Sequence, residues 1–282
     1  MRFREYAFLK GRESNQLLER LADTSREFDR ALDIGAHDGQ ACEALRESGK
    51  VKEIIALESS PRMLESVQSR GFETVRSDSE ILAFPSASFD LVTSILSLHW
   101  INDLPGMLSQ VRQVLVPDGL FLGCLFGAGT LPELRAALID AESEITGGIS
   151  PRLSPLPGLQ DMAGLLQRAG FALPVADVER VTVRYSHPIK LLEDLKGMGE
   201  QAAFAQRDGQ ARRPLSRRIL ARMSDIYTDR FQDEDGKVRA TFEIVWLSGW
   251  APHASQPKPL KPGSGKVSLA DAVKRVRDEE AD

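Results

Sequence analysis

The stretch Ala31-Leu32-Asp33-Ile34-Gly35-Ala36-His37-Asp38-Gly39 constrains this chain more than any other. An apolar run enters a glycine turn, and a helical pattern starts directly after it. Gly35 lets the backbone approach a ligand, and Gly39 lets the next helix pack tightly on the strand. The N-terminus of that helix then faces the ligand. The spacing is not GxGxxG, so this is not the full dinucleotide fingerprint, and no Gly-Lys-Ser/Thr follows to make a Walker loop.

The turn opens an alternation. Short apolar runs at Ala31–Ile34, Glu53–Leu57, Phe72–Val75, Asp90–Ile95 and Leu120–Leu125 read as strands buried on both faces. Helical patterns over Asp38–Glu47, Pro61–Arg70 and Asn102–Leu115 separate them, and Pro117-Asp118-Gly119 signals a turn. The alternation predicts an α/β fold, a doubly wound sheet.

Beyond residue 128 the pattern changes. Thr130–Ile145 reads as a helix, with Thr130 as N-cap, Glu133 completing a capping box and Gly147-Gly148 ending it. Ile149–Leu159 carries three prolines and reads as a loop, Asp161–Ala169 as a short helix, Val178–Tyr185 and Thr241–Gly249 as strands. A polar helical stretch from Ile189 to Arg230 carries the cluster Arg212, Arg213, Arg217, Arg218. Ala251–Gly265 is rich in Pro, Lys and Gly and reads as an extended arm, followed by a frayed helix over Lys266–Asp282. Residues 1–29 form a helical segment, since Leu17, Leu18 and Leu21 recur at helical spacing. The expected organisation is this segment, a domain over 30–250 with a helical insertion at about 187–232, and a tail over 251–282.

Composition excludes several classes. Hydrophobic residues make up 42% of the 282, and 36 Lys+Arg against 41 Asp+Glu leave a net charge of −5. That is a soluble globular profile, with no apolar run long enough to span a membrane and no basic excess to suggest nucleic acid. Peripheral membrane contact stays open. Cys42 and Cys124 form no disulfide framework and read as small buried thiols. The N-terminus has no apolar core, so no secretory signal is expected.

Two further carboxylates fall at strand ends. Glu58 follows Ile-Ile-Ala-Leu, where an acidic side chain can hold both hydroxyls of a ribose, and Asp78 follows the third strand, where it can take the exocyclic amine of an adenine. Together, Asp33-x-Gly35-x-x-x-Gly39, Glu58, Ser77-Asp78, Phe89-Asp90-Leu91-Val92 and Leu115-Val-Pro-Asp-Gly119 resemble a class I S-adenosylmethionine-dependent methyltransferase. The resemblance implies a mostly parallel seven-stranded sheet with a helical insertion before the last strand. It carries S-adenosylmethionine contacts onto Asp33, Gly35, Ala36, His37, Gly39, Glu58, Ser59, Met63, Asp78, Ser79 and Ser94, with Met63 packing on the adenine. His37 stands where the family has a glycine, and either narrows the pocket or hydrogen-bonds the ligand.

Ser97-Leu-His99-Trp100-Ile-Asn-Asp-Leu-Pro105 is similar to a segment of two groups in that family. One methylates malonyl-acyl carrier protein in the biotin pathway. The other, the mitochondrial complex I assembly factors with arginine-hydroxylase activity, fits over about Arg4 to Ala272, through Phe126-Gly-x-Gly129, Glu193-Asp-Leu-x-Gly-Met-Gly-Glu200 and Gly249-Trp250. The second resemblance implies an enzyme that modifies a complex I subunit as its protein substrate, by arginine hydroxylation or methylation. Alternatives are methylation of a carrier-bound or small carboxylic acid, and a cofactor-binding assembly factor without catalysis.

His99 and Glu200 are the catalytic candidates, and the residues alone leave the catalytic group unknown. Glu193, Asp194 and Glu200 can hold a cationic group, and the arginine cluster can dock an acidic partner; solvated helix faces are the plain alternative. None of His37, His99, His187 and His253 stands in an HxD or HxE pair, so no iron motif is present and no metal is expected. Without a visible targeting segment, the expectation is a cytoplasmic protein.

Overall fold

The computed structural model describes residues 3–78, 80–201, 215–257 and 268. Seven strands, β1 (Phe28–Ile34), β2 (Val51–Glu58), β3 (Glu73–Arg76), β4 (Phe89–Ile95), β5 (Leu115–Phe126), β6 (Ala172–Tyr185) and β7 (Val238–Trp250), form one sheet in the order β3-β2-β1-β4-β5-β7-β6. The first five run parallel, and β7 runs antiparallel to both β5 and β6. The order reverses between β1 and β4, which opens a crevice at the carboxyl ends of those two strands.

The helices are α1 (Phe3–Tyr6), α2 (Phe8–Ala22), α3 (Gln40–Glu47), α4 (Pro61–Gln68), α5 (Leu104–Val114), α6 (Pro132–Thr146), α7 (Leu159–Arg168), α8 (Pro188–Gly197) and α9 (Arg217–Phe231). They sort onto two faces because successive strand residues point to opposite sides. Leu91, Leu122 and Trp246 pack with α2, α3, α6, α8 and α9, whereas Leu57, Val92 and Phe121 pack with α5 and α7. Both faces are buried, hence the near-continuous apolar runs.

Differences from the sequence reading have local causes. The Pro117-Asp118-Gly119 turn lies inside β5: the β4–β5 pairing shifts register between Phe89 and Leu91, and Asp118 absorbs the turn at φ 64°. The capping box at Thr130 does not form. The Thr130 hydroxyl instead donates to the Glu243 carbonyl (3.0 Å), and Glu133 accepts from the backbone N–H and the hydroxyl of Thr241 (3.1 and 2.6 Å). Here tertiary partners on β7 outcompete the local cap. Gly147 does end α6, at φ 70°.

The chain divides into two compact units, Met1–Pro252 and His253–Asp282. In the second, the His253 backbone N–H donates to the Gln256 side chain (3.1 Å). Most of the expected arm and terminal helix, and Arg212 and Arg213 of the basic cluster, lie outside the described residues. Among the described residues no helix is long and apolar enough to cross a membrane.

Candidate functional site

The crevice is built from the glycine turn outward. Gly35 and Ala36 leave β1 with their backbone N–H groups donating to the Leu57 carbonyl (2.8 and 3.1 Å), which ties the turn to β2. Gly35 sits at φ 66°, and a Cβ there would stand 1.9 Å from the Ser97 hydroxyl oxygen. Only glycine fits this approach. Gly39, at φ 86°, caps α3 over Val67.

His37 also takes a left-handed backbone, φ 50°. Its backbone N–H donates to Glu58 Oε2 (2.9 Å), while Glu58 Oε1 accepts from the backbone N–H groups of Ser59 and Ser60 (both 2.9 Å). Glu58 is thus an anchored carboxylate in which Oε2, with one backbone donor, keeps acceptor capacity. Asp33 accepts from the Thr93 hydroxyl (2.8 Å) and the Cys42 thiol (3.4 Å). Burial pushes its carboxyl up to about 6 against those two donors.

The other expected contacts divide. Asp33, Gly35, Ala36 and His37 line one small cavity. Ser59 and Asp78 line a separate open cleft beyond β2 and β3, with Arg76 and Ser77. Asp78 is exposed, and its carboxylate accepts from the Glu80 backbone N–H (3.1 Å). Met63 is half-buried on α4. Ser94 is fully buried and donates to the Ile34 carbonyl (2.9 Å), so its hydroxyl is engaged in joining β4 to β1. Ser79 lies outside the described residues.

His99, on the 3-10 turn Leu98–Trp100 after β4, meets Glu200, which follows α8. His99 Nε2 lies 2.9 Å from Glu200 Oε2. The two side chains are only 5% and 7% exposed, so the pair is shielded from water. Both line a cleft walled by Trp100, Phe126, Leu131, Leu156 and Phe242. Arg135 and Leu153 also line it, and both are shared with an adjoining cleft formed with Ile139, Ile149 and Arg152. Arg135 has no side-chain partner among the described residues. Of Glu193, Asp194 and Glu200, only Glu200 lines the aromatic cleft; Glu193 is exposed and pairs with Lys190 (2.7 Å). Arg217 and Arg218 are exposed at the start of α9.

The sequence reading missed Lys10. Its side chain on α2 is buried, and its ammonium donates to His37 Nε2 (2.9 Å), the Leu96 carbonyl (2.9 Å) and Glu200 Oε1 (3.3 Å). Burial and the Lys10 charge push the His37 imidazole down to about 3, so it is neutral and accepts. Burial alone would raise the Glu200 carboxyl; Lys10 and then His99 overcome it and hold that group down at about 2. A signal for Lys10 existed: it shares a helical stripe with Ser14, Leu17 and Leu21, an odd place for a lysine. Phe3 of α1 stacks on the His37 ring at 6.1 Å, closing the same corner.

Among the described residues no group of three or more His, Cys, Asp or Glu could hold a metal ion. Cys42 and Cys124 are buried free thiols, raised well above the ordinary value by burial.

Comparison with known proteins adds to this geometry. A family model described as a methyltransferase domain matches residues 32–123. The arginine-hydroxylase NDUFAF5, mitochondrial, of Danio rerio is 39% identical over 272 residues, covering 96% of this chain and 83% of that one. A malonyl-[acyl-carrier protein] O-methyltransferase of Halorhodospira halophila is 34% identical, covering 88% and 83%. Among solved structures, the YcgJ protein of a Bacillus superposes with a TM-score of 0.59 at 20% identity, covering 86% of this chain and 99% of that one. A Haemonchus contortus phosphoethanolamine N-methyltransferase 2 holding S-adenosyl-L-methionine does so with a TM-score of 0.54 at 18% identity, covering 86% and 53%. These structures share the fold. The expected cytoplasmic location is corrected: the NDUFAF5 relatives are named as mitochondrial proteins.

Proposed function

The chain belongs to the family of methyltransferase-type enzymes that contains the NDUFAF5 arginine hydroxylases, and on that premise we propose that it binds S-adenosylmethionine and modifies an arginine on a subunit of respiratory complex I. One observation carries this reading. Lys10 touches His37 in the glycine turn and Glu200 in the aromatic cleft, so the cofactor side and the substrate side meet at one buried side chain.

The residues present suit the cofactor. Gly35 lets the turn pass tightly against Ser97, where a Cβ would clash, and Glu58 keeps an acceptor for a ribose hydroxyl while its other oxygen is anchored. Asp78 is exposed at the next strand end for an adenine amine, with Ser59 lining the same cleft, and Met63 is half-buried on α4. Ala36, His37 and Gly39 shape the turn, and Asp33 supports it from beneath. Ser94 acts through the backbone it braces. When bound, the cofactor supplies a methyl group on a positively charged sulfur. The chain's own task is alignment: Trp100, Phe126 and Phe242 exclude water from the cleft and orient a planar side chain against His99 and Glu200.

A second reading has its own observation. The malonyl-carrier-protein relative and Arg135 on the cleft wall, which has no side-chain partner among the described residues, favour methylation of a carboxylate. Mass spectrometry of host complex I subunits, with and without the gene, separates the two. Loss of one oxygen from an arginine supports hydroxylation, and loss of one methylene from it supports methylation. Unchanged arginines in every subunit refute the complex I reading.

A further inference from the structure

The cleft that adjoins the aromatic one is built by α6 and the loop after it. Arg135, Leu138 and Ile139 line it at spacings of three and four, so they share one face of the helix. Residues 149–153 supply the rest of the wall. That loop is tied down from beneath. Glu142 is buried on α6 and accepts from the Ser150 backbone N–H (2.8 Å) and from Arg152 Nε (2.8 Å). Pro151 fixes the backbone between those two contacts. The cleft is thus preformed, and a ligand entering it orders little of the protein.

Two properties decide what it fits. Ile139 and Ile149 line it while 40% and 66% exposed, which leaves apolar surface open to solvent. Arg135 is half-buried with no side-chain partner among the described residues, whereas Arg152 is paired with Glu142. Among the described residues no Asp or Glu lines the cleft, so Arg135 sets its charge. Aliphatic surface beside a cation suits an aliphatic and an acidic side chain, and it repels a second cation. Continuity identifies the occupant. Arg135 and Leu153 line both clefts, while His99 and Glu200 line the aromatic one alone. A residue that reaches His99 and Glu200 therefore leaves its chain neighbours at Arg135. A free small acid would give the two isoleucines no role.

We propose that the adjoining cleft is a subsite for the stretch of protein substrate next to the modified arginine, taking an acidic side chain at Arg135 and an aliphatic one against Ile139 and Ile149. This rests on the reading that the aromatic cleft takes an arginine of a protein, and it deepens that reading. The arginine is selected by its neighbours as well as by its own side chain, and one flanked by further Lys or Arg is rejected.

The test uses the full chain with S-adenosylmethionine present and fluorescein-labelled nonapeptides that have a central arginine in a Gly/Ser background. Each peptide carries one aspartate and one leucine at varied flanking positions, and matched peptides carry lysine or serine in their place. Fluorescence anisotropy reads the affinity. Aspartate and leucine on the same side of the arginine should bind best, and lysine for aspartate should weaken binding about tenfold, the usual worth of a charged partner. Arg135→Glu should reverse the order, so that the lysine peptide binds better than the aspartate peptide. A misfolded variant cannot produce that gain. Ile149→Ser should remove the preference for leucine over serine and keep the preference for aspartate. An aspartate preference that is absent, or that survives in Arg135→Glu, overturns the proposal. A leucine preference that is absent, or that is untouched in Ile149→Ser combined with Ile139→Ser, overturns it too, as does malonate binding as tightly as the best peptide. Failure of the arginine reading appears separately: glutamine in place of the central arginine then binds equally well, while both flank preferences persist.

Discussion

Replacing Glu200 by Gln is expected to cost stability at neutral pH and much less in acid. The carboxyl falls from the ordinary 4.5 to about 2 in the folded chain. At about 1.4 kcal/mol for each tenfold, that difference is worth about 3 kcal/mol at pH 7. The sign follows from the direction. A carboxyl held low in the fold adds stability that is fully present above its unfolded value near 4.5 and is lost as pH falls through about 2. At pH 3 about 1 kcal/mol of it remains, so the gap between the native chain and Glu200→Gln should narrow by about 2 kcal/mol between pH 7 and pH 3. Urea unfolding at pH 7, 5 and 3, followed by the fluorescence of the buried Trp246, measures that gap. A gap that stays constant, or widens in acid, would refute the claim that Lys10 and His99 hold this carboxylate ionised. Losses common to all carboxylates cancel in the difference.

Three other outcomes are expected. Gly35→Ala forces a Cβ against Ser97 and a left-handed backbone, and should cost on the order of 3 kcal/mol in urea unfolding. Adding Ser97→Gly should recover the steric part but not the backbone part, and a double variant no better than the single one sinks the clash. Asp33, pushed up to about 6 from the ordinary 3.8 by burial, lowers stability above pH 6, a cost absent below 3.8. The native chain should therefore gain about 2 kcal/mol relative to Asp33→Asn between pH 8 and pH 4, where equal pH profiles would contradict the burial. Glu58→Ala should weaken S-adenosylmethionine binding more than tenfold in calorimetry, since a charged hydrogen-bond partner is worth about 1.5–3 kcal/mol. Undiminished affinity would dismiss the proposed pocket.

Much of the fold was legible because its signals are local. The strand runs of β1, β2, β4 and β5 were visible since both faces of each are buried, and Gly147 marked the end of α6 through its backbone freedom. The capping box at Thr130 misled because the same side chains found partners on β7, more than a hundred residues away. Ser94 shows the matching limit at the site. Its place at a strand end reads as ligand-facing, yet its hydroxyl is engaged with the Ile34 carbonyl.

Period, glycine placement and acidic strand ends are short-range patterns, and they sufficed to specify a doubly wound sheet and a turn that admits a ligand. The buried chain His37–Lys10–Glu200–His99 has no such pattern. Its links join residues 27, 190 and 101 positions apart. Whether an ammonium, two imidazoles and a carboxylate become one network depends on separations of about 3 Å in a medium of low dielectric, where each charge sets its neighbour's proton. Those separations exist only once α2 and the segment after α8 close over the glycine turn.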